Sequence, residues 1–233
     1  MNLKKNLAKR SMVAAIALSA TLGMAACGTT DSTQTNTSPA AATSSTGGYG
    51  RPAPVATVPA ISGGDTSVAL DQGFVDALTT LGVTPGTLGT ATLADGAVDF
   101  PITGGQVTVY DKDSGYRPFV QGTIFHQGSG LSLTAGGTTV QLENFVVDPG
   151  KPATLFGDVS VNGELAVPSA PLFNLNGSTL EPIEVDAQGN AILTGTKVEL
   201  TAAAADLLNQ TFGVTAITPN LLIGIATLTV PTA

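Results

Sequence analysis

Between residues 105 and 200 the chain alternates. "GQVTVYD", "FVQGTIFH", "LSLTAGGTTVQLENFVV", "ATLFGDVSVNGELAV" and "AILTGTKVEL" place β-branched and other apolar residues against Thr, Ser, Gln and Gly. Alternation with a period of two is the mark of half-buried strands. Gly, Asp and Asn separate the runs. Gly136-Gly137 inside "LSLTAGGTTVQL" and Asn162-Gly163 inside "FGDVSVNGELAV" supply the positive φ that a two-residue hairpin turn needs. Two segments change period. "LDQGFVDALTTLG" sets Leu70, Phe74, Ala77, Leu78 and Leu81 on one helical face, with Asp71 as N-cap and Gly82 just past the end. "TAAAADLLNQTFG" has Thr201 as N-cap, four alanines, then Leu207, Leu208 and Phe212 before Gly213. Both carry the start and stop chemistry of short helices. The pattern predicts a mostly β domain, sandwich or barrel-like, with two short α-helices.

The two helices belong to a longer match. Val68-x-Leu70, Asp76-x-Leu78, Gly82-Val83-Thr84 and Gly89-x-Ala91-Thr92-Leu93 recur in order as Val198-x-Leu200, Asp206-x-Leu208, Gly213-Val214-Thr215 and Gly224-x-Ala226-Thr227-Leu228. This reads as an imperfect internal repeat of strand end, helix, loop and strand. Its helices are expected in quasi-equivalent places, such as plugs at opposite ends of a barrel or sandwich.

The first 64 residues lack this patterning. Lys4, Lys5, Lys9 and Arg10 precede an apolar stretch from Met12 to Leu22. A helix needs about 20 apolar residues to span a bilayer, so the stretch is read as a secretion signal. Met24-Ala25-Ala26-Cys27 resembles the lipobox of bacterial lipoproteins. The resemblance implies cleavage before Cys27 and a diacylglycerol on its thiol. Residues 1–26 are then signal peptide, 27–64 an anchored linker and 65–233 a single extracytoplasmic domain. The linker is rich in Ser, Thr, Ala, Pro and Gly and buries too little apolar surface to offset its ordering entropy. Cys27→Ser is expected to release the protein from the membrane or to leave the precursor uncut. Membrane fractionation checks this, and a mature-sized variant still held in the membrane would refute lipidation.

Charge narrows the partners. Past residue 26 the basic residues are Arg51, Lys112, Arg117, Lys151 and Lys197, against all 17 acids, for a formal charge of 5 − 17 = −12. Such a chain repels nucleic acid and anionic lipid head groups. Its membrane partner is the anchor, and any further partner is an unidentified envelope component or small ligand. With a single cysteine there is no disulfide within the chain, so packing alone holds the domain.

Catalytic chemistry finds little to use. A hydrolytic triad needs a base, usually His. His126 is the one histidine, and Ser129 nearby is not in a G-x-S-x-G elbow. A zinc site needs three or four His, Cys or carboxylate ligands, and no metal site is expected. No P-loop and no G-x-G-x-x-G opening a helix are present. Trp is absent and aromatics are 5%, which leaves few platforms for stacking sugars. Asp111, Asp113 and Ser114 before Gly115 could open a calcium loop but lack its closing glutamate. A turn between strands uses the same residues.

Three stretches carry a family likeness. "DGAVDFPITGG" (Asp95–Gly105), "GTIFHQGSGLSL" (Gly122–Leu133) and "VVDPGKPATLFGDV" (Val146–Val159) follow the motif order of HtaA-type haem-binding surface domains, which the region 68–159 resembles. The resemblance implies a β-rich surface domain. It also implies haem held by a tyrosine on the first helix and supported by a strand histidine. The histidine is His126. The helix carries Phe74 where the tyrosine is wanted, and Tyr110 and Tyr116 lie in another element. The candidate ligand-binding residues are therefore His126, Tyr110 and Tyr116, beside lipidated Cys27. The residues favour a non-catalytic, lipid-anchored envelope protein with a binding or structural role and no built-in cofactor. The resemblance offers haem binding as the alternative.

Overall fold

The computed structural model describes residues 50–232. Cys27, the signal sequence and most of the linker lie outside the described residues. The chain first forms β1 (Ala56–Val58), β2 (Asp65–Leu70), α1 (Gln72–Leu81), β3 (Thr84–Gly89), β4 (Thr92–Ala94), β5 (Ala97–Pro101) and β6 (Gly104–Val109). A long meander follows: β7 (Val120–Ala135), β8 (Thr138–Asp148), β9 (Thr154–Val161) and β10 (Glu164–Asn176). The end consists of β11 (Glu184–Val185), β12 (Asn190–Leu200), α2 (Ala202–Phe212) and β13 (Leu222–Pro231). The expected mostly β class with two short helices is what the molecule has.

The strands form one antiparallel sheet ordered β1-β6-β7-β8-β9-β10-β12-β13-β2-β5-β4. β3 pairs with the second half of β7, beyond the reach of β6. The sheet curls into a half-barrel, because β5 runs through Ile102 and Thr103 directly into β6 at the other end of the strand order. The hairpin turns form where the sequence placed them. Gly136 and Gly137 have φ 57° and 82°, and Asn162 and Gly163 have 52° and 84°. Double positive φ matches the twist of the flanking strands. The expected linker is structured at its end: β1 pairs with β6 and Ile61 is buried.

Both helices start and stop as their caps require. Asp71 accepts from the amide of Gly73 at 2.8 Å. Thr201 accepts from Ala204 at 3.0 Å and donates its hydroxyl to Pro171 O at 2.6 Å. Gly82 and Gly213 close the helices in the left-handed conformation. The repeat holds through helix and cap, then fails. Gly89 ends β3, whereas its counterpart Gly224 lies within β13 and pairs with Leu70. Placement at opposite ends is also corrected. β2 and β12 both run antiparallel to β13, so they are parallel to each other and deliver α1 and α2 to the same end. There Phe74 and Leu78 face Leu208 and Phe212 across an apolar cavity of about 50 Å³.

The main core fills the concave face. Val140, Leu142, Phe145, Val159, Leu172 and Val198 are among its most buried members. A second cluster of Ile61, Ile102, Ile124 and Val230 packs separately. The strand alternation puts Ile124 and His126 on one face of β7, so the histidine sits where the two clusters meet.

Candidate functional site

His126 does not end a strand. β7 runs through it for 16 residues, and "HQGSG", loop-like in composition, is a bulge within that strand. The register with β8 shifts between His126 and Gly130. Three local contacts hold the shift. The amide of Gly128 donates to Asn144 Oδ1 at 3.0 Å. Gly128 O accepts from the amide of Thr90 at 3.0 Å. Ser129, also buried, donates to His126 O at 3.1 Å. Gly89 must be glycine here: its φ is +59°, and a Cβ would collide with the Gly128 carbonyl.

The imidazole points inward, with 2% of its surface exposed. Nε2 hydrogen-bonds the Thr66 hydroxyl of β2 at 2.9 Å. Phe100 of β5 meets the ring edge-to-face at 6.5 Å. Nδ1 is buried without a partner among the described residues. Burial lowers the histidine's pKa to about 4, because the charged form cannot be solvated there. At neutral pH the side chain is a neutral group joining β7 to β2. The same seam is crossed by Thr103. Its amide and hydroxyl donate to Phe125 O at 2.8 and 3.1 Å, and its oxygen accepts from Gln127 N at 3.0 Å.

Tyr110 follows the last residue of β6 and is 1% exposed. Its amide bonds Phe119 O, which closes the excursion from 111 to 118. The ring meets Tyr116 edge-to-face at 4.8 Å, and the Arg51 guanidinium lies 5.1 Å from its centroid. Its hydroxyl is buried with no partner among the described residues. Between the two tyrosines, Asp111 accepts from Asp113 N at 2.8 Å and caps a 3₁₀ turn over Lys112–Ser114. That is the turn reading of the aspartates. The structure thus brings Tyr110 and Tyr116 together and leaves His126 in a different environment. Arg51 was not singled out by the sequence, since it lies in the stretch read as linker. Its setting in "YGRP" gave no signal.

No protein-family model matches the chain, and no curated relative matches it. Among solved structures, the C-terminal domain of HtaA from Corynebacterium glutamicum aligns with a TM-score of 0.51 at 15% identity, over 74% of this chain and 98% of that one. The chain has an HtaA-like β fold. The haem-binding protein HtaB from the same organism aligns at 13% identity over 76% of this chain and 96% of that one, with a TM-score of 0.45. The N-terminal domain of HtaA gives 14%, 74%, 98% and 0.43.

Haem held from the HtaA-like first helix does not fit these residues. Phe74 has no donor atom, and it lines a cavity whose walls are apolar. His126, Tyr110 and Tyr116 do not line that cavity. Ferric iron takes phenolate or imidazole ligands. Among the described residues, the groups of that chemistry with an unpartnered buried atom are Tyr110 and His126. The phenol is the better fit, since it sits among cationic side chains, while the imidazole is built into the core.

Proposed function

We propose that this chain is a non-catalytic binding domain of the bacterial cell envelope, tethered through lipid on Cys27, and that its ligand is haem. The observation that carries the reading is the HtaA-like fold coinciding with the HtaA motif order. The three motifs fall in sequence on β5 with the start of β6, on β7, and on β8 with β9. Fold alone does not fix function. Here the fold is joined by a buried phenol suited to ferric iron. When bound, haem would supply a redox-active ferric centre, and the chain's residues hold and shield it without offering a catalytic base.

Titration of the purified domain with haemin tests the reading. A saturable shift of the Soret band at one haemin per chain is expected. A spectrum equal to that of free haemin at every ratio would overturn it and leave a structural envelope role.

A further inference from the structure

We infer that the ligand is taken up at the corner formed by Tyr110, Tyr116 and Arg51, away from the helix-capped end of the half-barrel. Tyr110 is the donor to iron and Arg51 the partner of a carboxylate on the ligand. This rests on the reading of the chain as a haem-type binder.

Tyr110 is not explained by packing. A buried hydroxyl without a partner is destabilising, and buried polar groups in native proteins are overwhelmingly satisfied. Phenylalanine would give the same ring contacts at no such cost. The hydroxyl therefore has a use outside the free fold. Its surroundings state which use. Arg51 lies over the ring, Lys112 sits in the turn that follows, and Arg117 adjoins Tyr116 and lies 5.9 Å from the Phe119 ring centroid. Three of the five basic residues between 50 and 232 thus cluster within one corner of an acidic chain. Guanidinium groups match carboxylates with two parallel hydrogen bonds, and aromatic rings stack on planar ligands. A planar macrocycle bearing carboxylates uses all of these groups at once.

Access is local. Arg51 is exposed and Tyr116 half-buried, and residues Asp111 to Gly115 are exposed. Uptake at this corner requires Arg51 and Tyr116, which lie against the Tyr110 ring, to swing aside. On binding ferric iron the phenol gives its proton to solvent, and its oxygen becomes the ligand atom. The other candidates carry less. Thr66 already engages Nε2 of His126, and the cavity between the helices offers no polar atom.

The test titrates the full mature chain and three variants with haemin and with iron-free protoporphyrin IX. Tyr110→Phe is expected to lower haemin affinity by about tenfold or more and to abolish the phenolate-to-iron charge-transfer band. Its protoporphyrin affinity should stay within about twofold. Arg51→Gln should weaken both ligands alike, and Lys197→Gln, on β12 outside the corner, neither. Tyr110→Phe should unfold at the same or a higher temperature than the parent. A lower midpoint would show that the hydroxyl already has a partner in the free protein and would overturn the assignment. Haemin binding by the parent with affinity and band unchanged in Tyr110→Phe would overturn the site alone. Failure of the parent to bind haemin would overturn the proposed function itself.

Discussion

Acidification from pH 7 to pH 4 is expected to remove about 3 kcal/mol of folding stability through His126 alone. The folded-state pKa is lowered to about 4 by burial, from 6.5 for the free side chain. Between those values the unfolded chain binds a proton that the folded chain refuses. The stability is therefore complete above pH 6.5 and drains as the pH falls towards 4. Asp65 acts in the opposite sense. Burial first, and then the charge of Asp99, raise its pKa, so its contribution favours the folded state at low pH and is lost as pH rises. It is partly solvated and opposes the histidine only weakly. Urea unfolding at several pH values measures the slope. His126→Gln should flatten it between pH 6.5 and 4. Parallel slopes for parent and variant would refute the role of His126.

Phe145→Ala should be the most damaging single truncation, at about 3–5 kcal/mol. Phe145 is 2% exposed and meets Phe100 edge-to-face at 5.4 Å and Phe173 at 6.5 Å. Together with His126 these rings form a continuous aromatic line from β7 across the concave face. Gly157 faces the ring with no side chain of its own to move into the vacated space; a Cβ there would lie 2.8 Å from both Phe145 and Leu172. A domain of this size is stable by roughly 5–15 kcal/mol, so the variant would lose a large share. A shift of the urea midpoint equivalent to under about 1.5 kcal/mol, at unchanged slope, would contradict the packing described.

The local elements were legible in the sequence because their causes are local. Asp71 with Gly82, Thr201 with Gly213, and the paired positive-φ residues at 136–137 and 162–163 each act within a few positions of one another. The continuity of β7 was not legible. Gln127-Gly128-Ser129-Gly130 has the composition of a loop, and what holds it in the strand lies elsewhere, at Thr90 and Asn144. The environment of His126 was hidden for the same reason, since its partner Thr66 is 60 residues away. The orphaned hydroxyl of Tyr110 follows from the fold of the 111–118 excursion and from Arg51, which composition had assigned to a stalk. The common end of the two helices required the strand order, which no repeat of words could supply.

The strand order also sets when the fold can be finished. β13 lies between β12 and β2, with Gly224 opposite both Val198 and Leu70. β2 is among the first of the described strands along the chain and β13 is the last. Until residues 222–231 arrive, β2 and β5 have no bridge to the β7–β12 meander through that side, and the meander must form without them. Contacts so distant in sequence are slow to form. Until β13 docks, β2 keeps an unpaired edge, and such an edge invites pairing with a strand of another chain.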